Sequence, residues 1–229
     1  MKTNIKFIIL WFFLITSFLL LALFVLYEAN GYRLNRQTWR LEPTGLISLD
    51  GQPKQVDSII INSKKKSTIL PYRTKKILPG VYEIKINKEN FTTWIKTVRI
   101  DGGQAFEEKK IILFLAEPVK SDSKSNTTIE QLKNDAQNQG KYLTVKANEI
   151  YYQDELVTRF SDSVKSAILT DDKAHIMVQI GQELRVIELD GSNNTKLIDF
   201  PTNDAYAFTQ NNEKVYYFDK DKLVEVKVR

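Results

Sequence analysis

The 229-residue sequence contains no cysteine and a single histidine, His175. Without cysteine the chain has no disulfide framework, no thiolate nucleophile and no cysteine-based zinc or iron–sulfur site. One histidine also restricts acid–base catalysis and metal binding, since a catalytic imidazole needs an orienting partner and metal sites usually recruit several ligands. We therefore expect no cofactor and no metal, and a structural or exposed role for His175.

Charged residues are absent from a long apolar run near the start of the chain, residues 7–27. As an α-helix this run rises about 31 Å at ~1.5 Å per residue, enough to cross the hydrocarbon core of a bilayer. A cleaved secretory signal is the alternative, but its apolar stretch is shorter and ends in small residues, whereas Tyr27 stands there in this sequence. The run therefore predicts a retained transmembrane anchor.

The orientation in the membrane is predicted from the flanking residues. The basic ones are Lys2 and Lys6 before the anchor, and Arg33, Arg36 and Arg40 after it. This charge count is nearly a tie, but a short tail with two lysines is typical of a cytoplasmic end, and a long following domain is translocated largely regardless of charge. We expect residues 1–6 in the cytoplasm and a juxtamembrane segment at 28–40 outside it. Tyr27, Tyr32 and Trp39 suit the aromatic belt at the membrane surface, although Trp39 could equally be the first core residue of the next domain.

Apolar residues after the anchor alternate with polar ones in short runs bounded by Pro, Gly, Asn and Asp, which predicts a mainly β fold. The length allows one large or two modest domains. Pro79-Gly80 and Asp101-Gly102-Gly103 are turn signals between such runs. The expected strands in the first half are 45–49, 58–61, 74–78, 81–86, 93–100 and 110–115.

A series of motifs spans residues 44–115. They are TGLISL at 44–49, IIIN at 59–62, STILP at 67–71, LPGVYEIKI at 78–86, NFTTW at 90–94, DGG at 101–103 and IILFL at 111–115. In this order they resemble the PEGA domain, a small all-β module of bacterial and archaeal envelope proteins, although the Pro-Glu-Gly-Ala tetrapeptide itself is missing. The resemblance implies a small β-sandwich at 41–118 with a non-catalytic role in the envelope.

Composition changes after the sandwich. Residues 119–128 contain one apolar side chain, Val119, and predict a solvated polar linker at 119–140. Within it, residues 129–139 could form a short helix, since Thr128 and Gln131 make a capping box and Gly140 a stop.

The last region, 141–229, repeats itself. A shift of 39 residues places Ile176 on Val215 and Leu184 on Leu223. A hairpin repeat of ~40 residues is typical of propeller blades, and the region is loosely similar to TolB-like and WD-repeat-like blades, with chance spacing of generic hairpins as the alternative. It supplies about two and a half blades, fewer than the ~4 that close a propeller. We therefore expect an incomplete propeller-like region that is a shortened descendant of something larger, or an open sheet that packs on the first domain or on another chain.

Two candidate binding surfaces follow from residue types. Residues 31–118 contain 16 basic and 9 acidic side chains, against 15 and 18 in residues 119–229. The candidate basic surface consists of Lys64, Lys65, Lys66, Arg73, Lys75 and Lys76. It could attract anionic lipid headgroups or wall polymers, although lysines also protect exposed sheet edges. The candidate aromatic surface consists of Tyr151, Tyr152, Tyr216 and Tyr217. Sugar stacking is one interpretation of these tyrosines, and ordinary cross-strand pairing is the preferred one.

These features predict a non-enzymatic, membrane-anchored envelope module that binds proteins or polysaccharides. The bilayer is the expected partner of residues 7–27, further copies could bind the open β-region, and nucleic acid is not expected because no stacking motif recurs. One alternative is a carbohydrate hydrolase built on a carboxylate pair such as Asp171-Asp172 or Asp154-Glu155, although Asp is also favoured at turns. The other is a receptor or assembly subunit, which would act through a partner membrane protein because six cytoplasmic residues hold no effector domain.

Overall fold

The computed structural model describes residues 5–122, 142–201, 207–210, 213–219 and 222–229. Across these residues the fold is mainly β, with one apolar N-terminal helix followed by several small sheets, none of them closed into a barrel. The fold class predicted from the alternating apolar pattern is therefore confirmed.

The helix α1 spans Ile5–Ala29 and extends the predicted apolar run by two residues at each end. Its 25 residues rise about 37 Å, and none of them is buried by the rest of the protein. It is long and apolar enough to cross a membrane. Asn30 ends the helix, since its side-chain amide donates to the Leu26 carbonyl at 2.8 Å, and Gly31 follows with a φ of +82°.

Nine strands follow in the first half of the chain. They are β1 (Tyr32–Asn35), β2 (Arg40–Pro43), β3 (Gly45–Gln52), β4 (Gln55–Ile61), β5 (Lys64–Ile69), β6 (Tyr72–Ile77), β7 (Gly80–Asn87), β8 (Trp94–Ile100) and β9 (Ala105–Ile112). Strands β1 and β2 form an antiparallel hairpin, and the others form two sheets in the orders β6-β3-β9 and β5-β4-β7-β8. All six predicted strands are present, while β1, β2 and β5 were not predicted. The predicted juxtamembrane segment 28–40 thus contains β1 and the start of β2.

Alternation decides which side chains of these sheets are buried. Ile47 and Leu49 on β3, and Ile84 and Ile86 on β7, are fully buried, with more exposed residues between them. Each such isoleucine or leucine contributes roughly 1.5–3 kcal/mol to folding. Strand β5 lacks this pattern because its first three residues are lysines, and it lies at the edge of its sheet.

The second half of the chain forms three further sheets. Its strands are β10 (Val119–Asp122), β11 (Leu143–Lys146), β12 (Glu149–Tyr152), β13 (Glu155–Arg159), β14 (Val164–Leu169), β15 (His175–Ile180), β16 (Glu183–Glu188), β17 (Thr195–Asp199), β18 (Ala207–Gln210), β19 (Lys214–Asp219) and β20 (Lys222–Lys227). The sheet orders are β11-β12-β13, β14-β15-β16-β17 and β10-β20-β19-β18. The bounds of β15 and β16, moved on by 39 residues, give those of β19 and β20. The repeat seen in the sequence therefore corresponds to a repeated antiparallel hairpin.

Strand β10 corrects the predicted linker. Val119–Asp122 pairs with β20 and completes the last sheet as its fourth strand, so the segment predicted as a linker from residue 119 begins with ordered strand. A strand with few apolar side chains is stable there because β20 supplies its backbone hydrogen bonds. The helix predicted at 129–139 lies outside the described residues.

Two compact units emerge from the packing. The first comprises residues up to Leu49, Pro71–Tyr82 and Thr97–Lys109, and the second comprises Asp50–Leu70, Glu83–Lys96 and the chain from Lys110 onward. The predicted boundary at residue 118 therefore does not separate the units. The boundary fails because the end of β9 enters the core of the repeated hairpins in the second unit. This core contains Ile112, Phe114, Met177, Leu184, Val186, Leu197, Ile198, Phe200, Val215, Tyr217, Val226 and Val228.

Candidate functional site

A polar cleft lies in the second unit, where β15 and β16 pair beside the start of β8. In the antiparallel register His175 is opposite Glu188, so both side chains are on the same face of the sheet. Both are buried, with 3% and 8% of their surfaces exposed. The cleft is open to solvent and narrow. Its lining consists of Thr92, Thr93, Trp94, Ile112, Phe114, His175, Val186, Glu188, Asn193 and Thr195.

Glu188 is the centre of a dense hydrogen-bond network. The Trp94 indole nitrogen donates to its Oε1, and Asn193 Nδ2 donates to the same oxygen at 3.1 Å. Lys96 Nζ lies 2.8 Å from Oε2 and forms a nearly buried ion pair, with 14% of the lysine side chain and 10% of the glutamate side chain exposed. Both carboxylate oxygens are therefore satisfied by the protein itself, which offsets the cost of burying the charge.

The turn after β16 holds this network in place. Lys96 Nζ also lies 2.8 Å from Asp190, and the Ser192 hydroxyl lies 2.5 Å from Asp190 and 3.0 Å from Glu188. The hydroxyl carries one proton, so it serves one carboxylate at a time. Burial raises the pKa of Asp190, but hydrogen bonds from Lys96 and Ser192 outweigh burial and hold that pKa below its usual value. The turn thus brings the carboxyl groups of Glu188 and Asp190 to one ammonium group, that of Lys96.

Gly191 allows the turn to form. Its φ is +79°, and a Cβ at this position would come within 2.6 Å of the Val157 carbonyl oxygen. Only glycine meets both conditions without displacing the neighbouring chain.

The second polar group of the cleft is an aspartate–histidine pair. Asp172 Oδ2 lies 2.8 Å from His175 Nδ1, and Oδ1 accepts bonds from the Thr170 hydroxyl at 2.7 Å and the Ala174 amide at 2.8 Å. Burial raises the pKa of Asp172, but these donors, His175 first among them, lower it to about 2. The ring of His175 meets Phe114 edge to face at a centroid distance of 5.7 Å. The pair therefore joins the β14–β15 turn to the core.

The chemistry that the cleft can perform is limited by its size and by the hydrogen bonds that its carboxylates already accept. The space at its centre admits about one water-sized molecule, which is too little for a sugar ring. The carboxylate oxygens of Asp172 and Glu188 accept hydrogen bonds from donors of the protein itself and are not directed at a ligand. Within the described part of the chain, no group of three or more His, Asp or Glu side chains could hold a metal ion. The arrangement is one that fixes segments of chain to each other.

The predicted basic surface does not lie in one unit. Lys64, Lys65 and Lys66 are exposed on β5 and belong to the second unit, whereas the remaining members are on β6 in the first. Arg73 and Lys75 are exposed there, and Lys76 forms an ion pair of 3.3 Å with Glu28 at the end of α1. The two halves are therefore separate candidates for binding.

The predicted aromatic surface is wrong for half of its members. Tyr216 and Tyr217 are 4% and 3% exposed, so they cannot present a stacking face. Tyr217 packs edge to face against Phe200 at 5.1 Å in the core. Both neighbours are buried because β19 is covered on its two faces. Tyr151 and Tyr152 are half-buried, and the Tyr151 hydroxyl donates to Glu149 at 2.5 Å.

The acidic pairs proposed for a hydrolase do not converge. Asp154 and Glu155 are exposed on the β12–β13 hairpin, Asp171 is exposed on the β14–β15 turn, and Asp172 turns inward to His175. Sequence reasoning missed the Glu188 network, because its lysine lies 92 residues away. The local signal was limited to Val186 and Ile187, two apolar residues directly before Glu188 at the end of its strand.

Comparison with models of known protein families and with curated proteins finds no match.

Proposed function

We propose that the protein is a non-enzymatic envelope module, anchored by α1 and displaying its β-rich body on the extracytoplasmic side of the membrane. The observation that carries this proposal is α1, a 25-residue apolar helix with no residue buried by the protein. Exposed apolar side chains in such a continuous run are stable only in lipid or against another apolar surface. The short tail with two lysines supports a cytoplasmic N-terminus, since a long following domain is translocated largely regardless of its charge.

The cleft supports a binding module more than an enzyme. Catalysis by a carboxylate requires an oxygen that reaches the substrate, whereas those of Glu188 and Asp172 are held by neighbouring side chains and amides. The resemblance of residues 44–115 to the PEGA domain points the same way, since that family carries no catalytic residues. Partners are then expected on the outer surfaces.

The basic strand β5 is the surface best suited to an anionic envelope polymer. Lys64, Lys65 and Lys66 are all exposed, and among the described residues none of them forms an ion pair that would neutralise its charge. Each well-placed cation contributes roughly 1 kcal/mol to attraction by an anionic surface.

Replacing these three lysines by glutamine tests whether β5 binds an anionic polymer. The full-length protein in detergent should bind soluble poly(glycerol phosphate) at low salt, and the triple variant should bind at least about tenfold more weakly, given roughly 1 kcal/mol per cation. Lys173, Lys222 and Lys227 are equally exposed and provide a matched control with the same change in charge. Equal loss in both triple variants would show that net charge, and not β5, governs the interaction.

The orientation is tested by single cysteines, because the chain has none of its own. Thr3→Cys marks the N-terminal tail and Glu155→Cys marks an exposed position of the body. In intact cells a membrane-impermeant maleimide should label only the cysteine at position 155, and both should react after lysis. Labelling only at position 3 would place the body in the cytoplasm and refute the proposal.

A further inference from the structure

The hairpin β1–β2 is an amphipathic ribbon. Cross-strand pairs place Tyr32 opposite Pro43 and Leu34 opposite Leu41, and these four residues share one face, here named the apolar ribbon face. The other face consists of Arg33, Asn35, Arg40 and Glu42. Side-chain alternation thus divides a short hairpin into one wholly apolar and one wholly polar face.

The apolar ribbon face is open. Leu34 and Leu41 are 37% and 41% exposed, and Trp39 in the turn is 78% exposed. Trp39 also has a φ of +54°, a conformation that bulky residues adopt at a cost of about 1–3 kcal/mol. A two-stranded hairpin with such a face is marginally stable in water and gains stability when an apolar medium covers it.

Contacts with α1 fix the direction of this face. Only Asn30 and Gly31 separate the helix from β1. Tyr32, on the apolar ribbon face, packs edge to face against Tyr27 of the helix, with ring centroids 5.6 Å apart. The apolar ribbon face and the surface of the helix are therefore on the same side of the hairpin.

The polar face is held on the opposite side by the first unit. Glu42 accepts hydrogen bonds from Asn35 at 3.0 Å and from Thr38 at 2.9 Å. Arg33 Nη1 donates to the Lys76 carbonyl at 3.2 Å, and Lys76 Nζ pairs with Glu28 at 3.3 Å. These bonds connect the hairpin, β6 and the end of the helix, so the ribbon does not swing freely about Gly31.

Lengths place the ribbon at the membrane surface. The helix rises about 37 Å, whereas the hydrocarbon core is about 30 Å thick, so its last turn reaches the headgroup layer. The hairpin starts within that layer. Tryptophan, tyrosine and arginine, which the ribbon and its turn carry, are the side chains suited to this zone.

We propose that the apolar ribbon face lies in the headgroup–acyl boundary of the membrane and binds phospholipid, with Trp39 inserted and Arg36 of the turn reaching phosphate groups. This inference rests on the proposed anchoring by α1. The occupant is lipid because the ribbon is continuous with the helix that lipid already covers and shares the Tyr27–Tyr32 contact with it. Its function is to hold the first unit at a fixed tilt on the membrane in place of a loose tether.

Two single-cysteine variants of the full-length protein test this proposal. Leu41→Cys places a fluorescent label on the apolar ribbon face, and Arg40→Cys places it on the polar face of the same strand. The labelled proteins are reconstituted into vesicles of phosphatidylcholine and phosphatidylglycerol with a nitroxide on the acyl chain. The label at position 41 should emit at shorter wavelength and lose most of its fluorescence to the nitroxide, and the label at position 40 should lose less than half as much.

Three other outcomes would contradict the ribbon proposal or the anchor. Equal and weak quenching at both positions, in protein that floats with the vesicles, overturns the ribbon proposal and leaves the anchor intact. Shielding at position 41 that rises with protein density and is insensitive to the nitroxide assigns the face to a second copy and also overturns it. Protein that does not float with the vesicles contradicts the anchor itself.

Trp39→Gly gives an independent variant. Glycine adopts the positive φ of this turn without strain, so the hairpin should still form. Quenching of the label at position 41 should fall severalfold, while the urea midpoint of unfolding should not fall, because glycine relieves the strain at this position. Unchanged quenching would show that Trp39 does not insert.

Discussion

Replacing Lys96 by methionine tests whether the Glu188 network joins the chain segments of the second unit. Methionine keeps an unbranched side chain that is one atom shorter and removes the charge. Lys96 Nζ lies 2.8 Å from both Glu188 and Asp190, and 14% of the lysine side chain is exposed. One such pair interacts by about 6 kcal/mol at an effective dielectric constant of 20. Desolvation of the charges offsets part of this energy, and removing one partner of a buried pair typically costs 3–5 kcal/mol.

We therefore expect Lys96→Met to lower the free energy of unfolding by about 3 kcal/mol. The measurement is urea unfolding of the full-length protein in detergent, followed by near-ultraviolet circular dichroism. The matched control is Lys85→Met, because Lys85 pairs with Glu83 at the same distance of 2.8 Å but with 36% and 47% of the two side chains exposed. An exposed pair of this kind contributes about 0–1 kcal/mol. Equal losses in the two variants would refute the claim that burial makes the network important.

Three further predictions concern Asp172, Gly191 and Phe114. Because the pKa of Asp172 is lowered from 3.8 to about 2, its ionised form stabilises the fold by about 2 kcal/mol above pH 4, and this contribution is lost as the pH falls toward 2. Asp172→Asn should therefore show a flatter acid-unfolding profile than the natural protein, and parallel profiles would contradict the assignment. Gly191→Ala should be less stable than Gly103→Ala by at least about 1 kcal/mol, since both glycines have a φ of +79° but only an added Cβ at 191 meets another atom within 4 Å. Equal thermal midpoints for the two alanine variants would show that the backbone around Val157 moves aside at little cost and would contradict this prediction. Phe114→Ala should destabilise the second unit by about 3–5 kcal/mol, because this 4% exposed ring lies in the core formed with the repeated hairpins. A loss below about 1 kcal/mol in urea unfolding would mean that residues 142–229 fold without it.

Local patterns in the sequence were sufficient for the helix and most strands. The apolar run at 7–27 predicts α1 to within two residues at each end, because hydropathy alone determines such a segment. Alternation predicts strands such as β3 and β7, which bury one face each. The 39-residue repeat predicts the hairpins of β15–β16 and β19–β20, since each copy satisfies the same pairing.

Features that depend on distant partners were missed. Strand β5 begins with three lysines, and β10 has little apolar content, so pairing with β4 and β20 determines them more than their own residues do. Tyr216 and Tyr217 are adjacent and both buried, which alternation cannot indicate when a sheet is covered on both faces.

The cleft could be anticipated only in part. Asp172 and His175 are three residues apart and meet across one turn, so a local pattern contains their pairing. Glu188 meets Lys96 and Trp94 from positions more than 90 residues away, and no local signal connects them. The amphipathic hairpin β1–β2 was not predicted for another reason. Its strands have only four residues each, and its arginines resemble the charged residues that flank a transmembrane helix.

Anchoring by α1 is the central claim, and extraction of membranes at alkaline pH tests it most directly. Membranes from cells that make the natural protein are washed with sodium carbonate, and the mass of the retained chain is measured. If α1 is a retained anchor, the protein stays in the pellet, is released only by detergent, and still contains residues 7–27. A chain recovered in the carbonate supernatant, with its first residue beyond Tyr27, would contradict it.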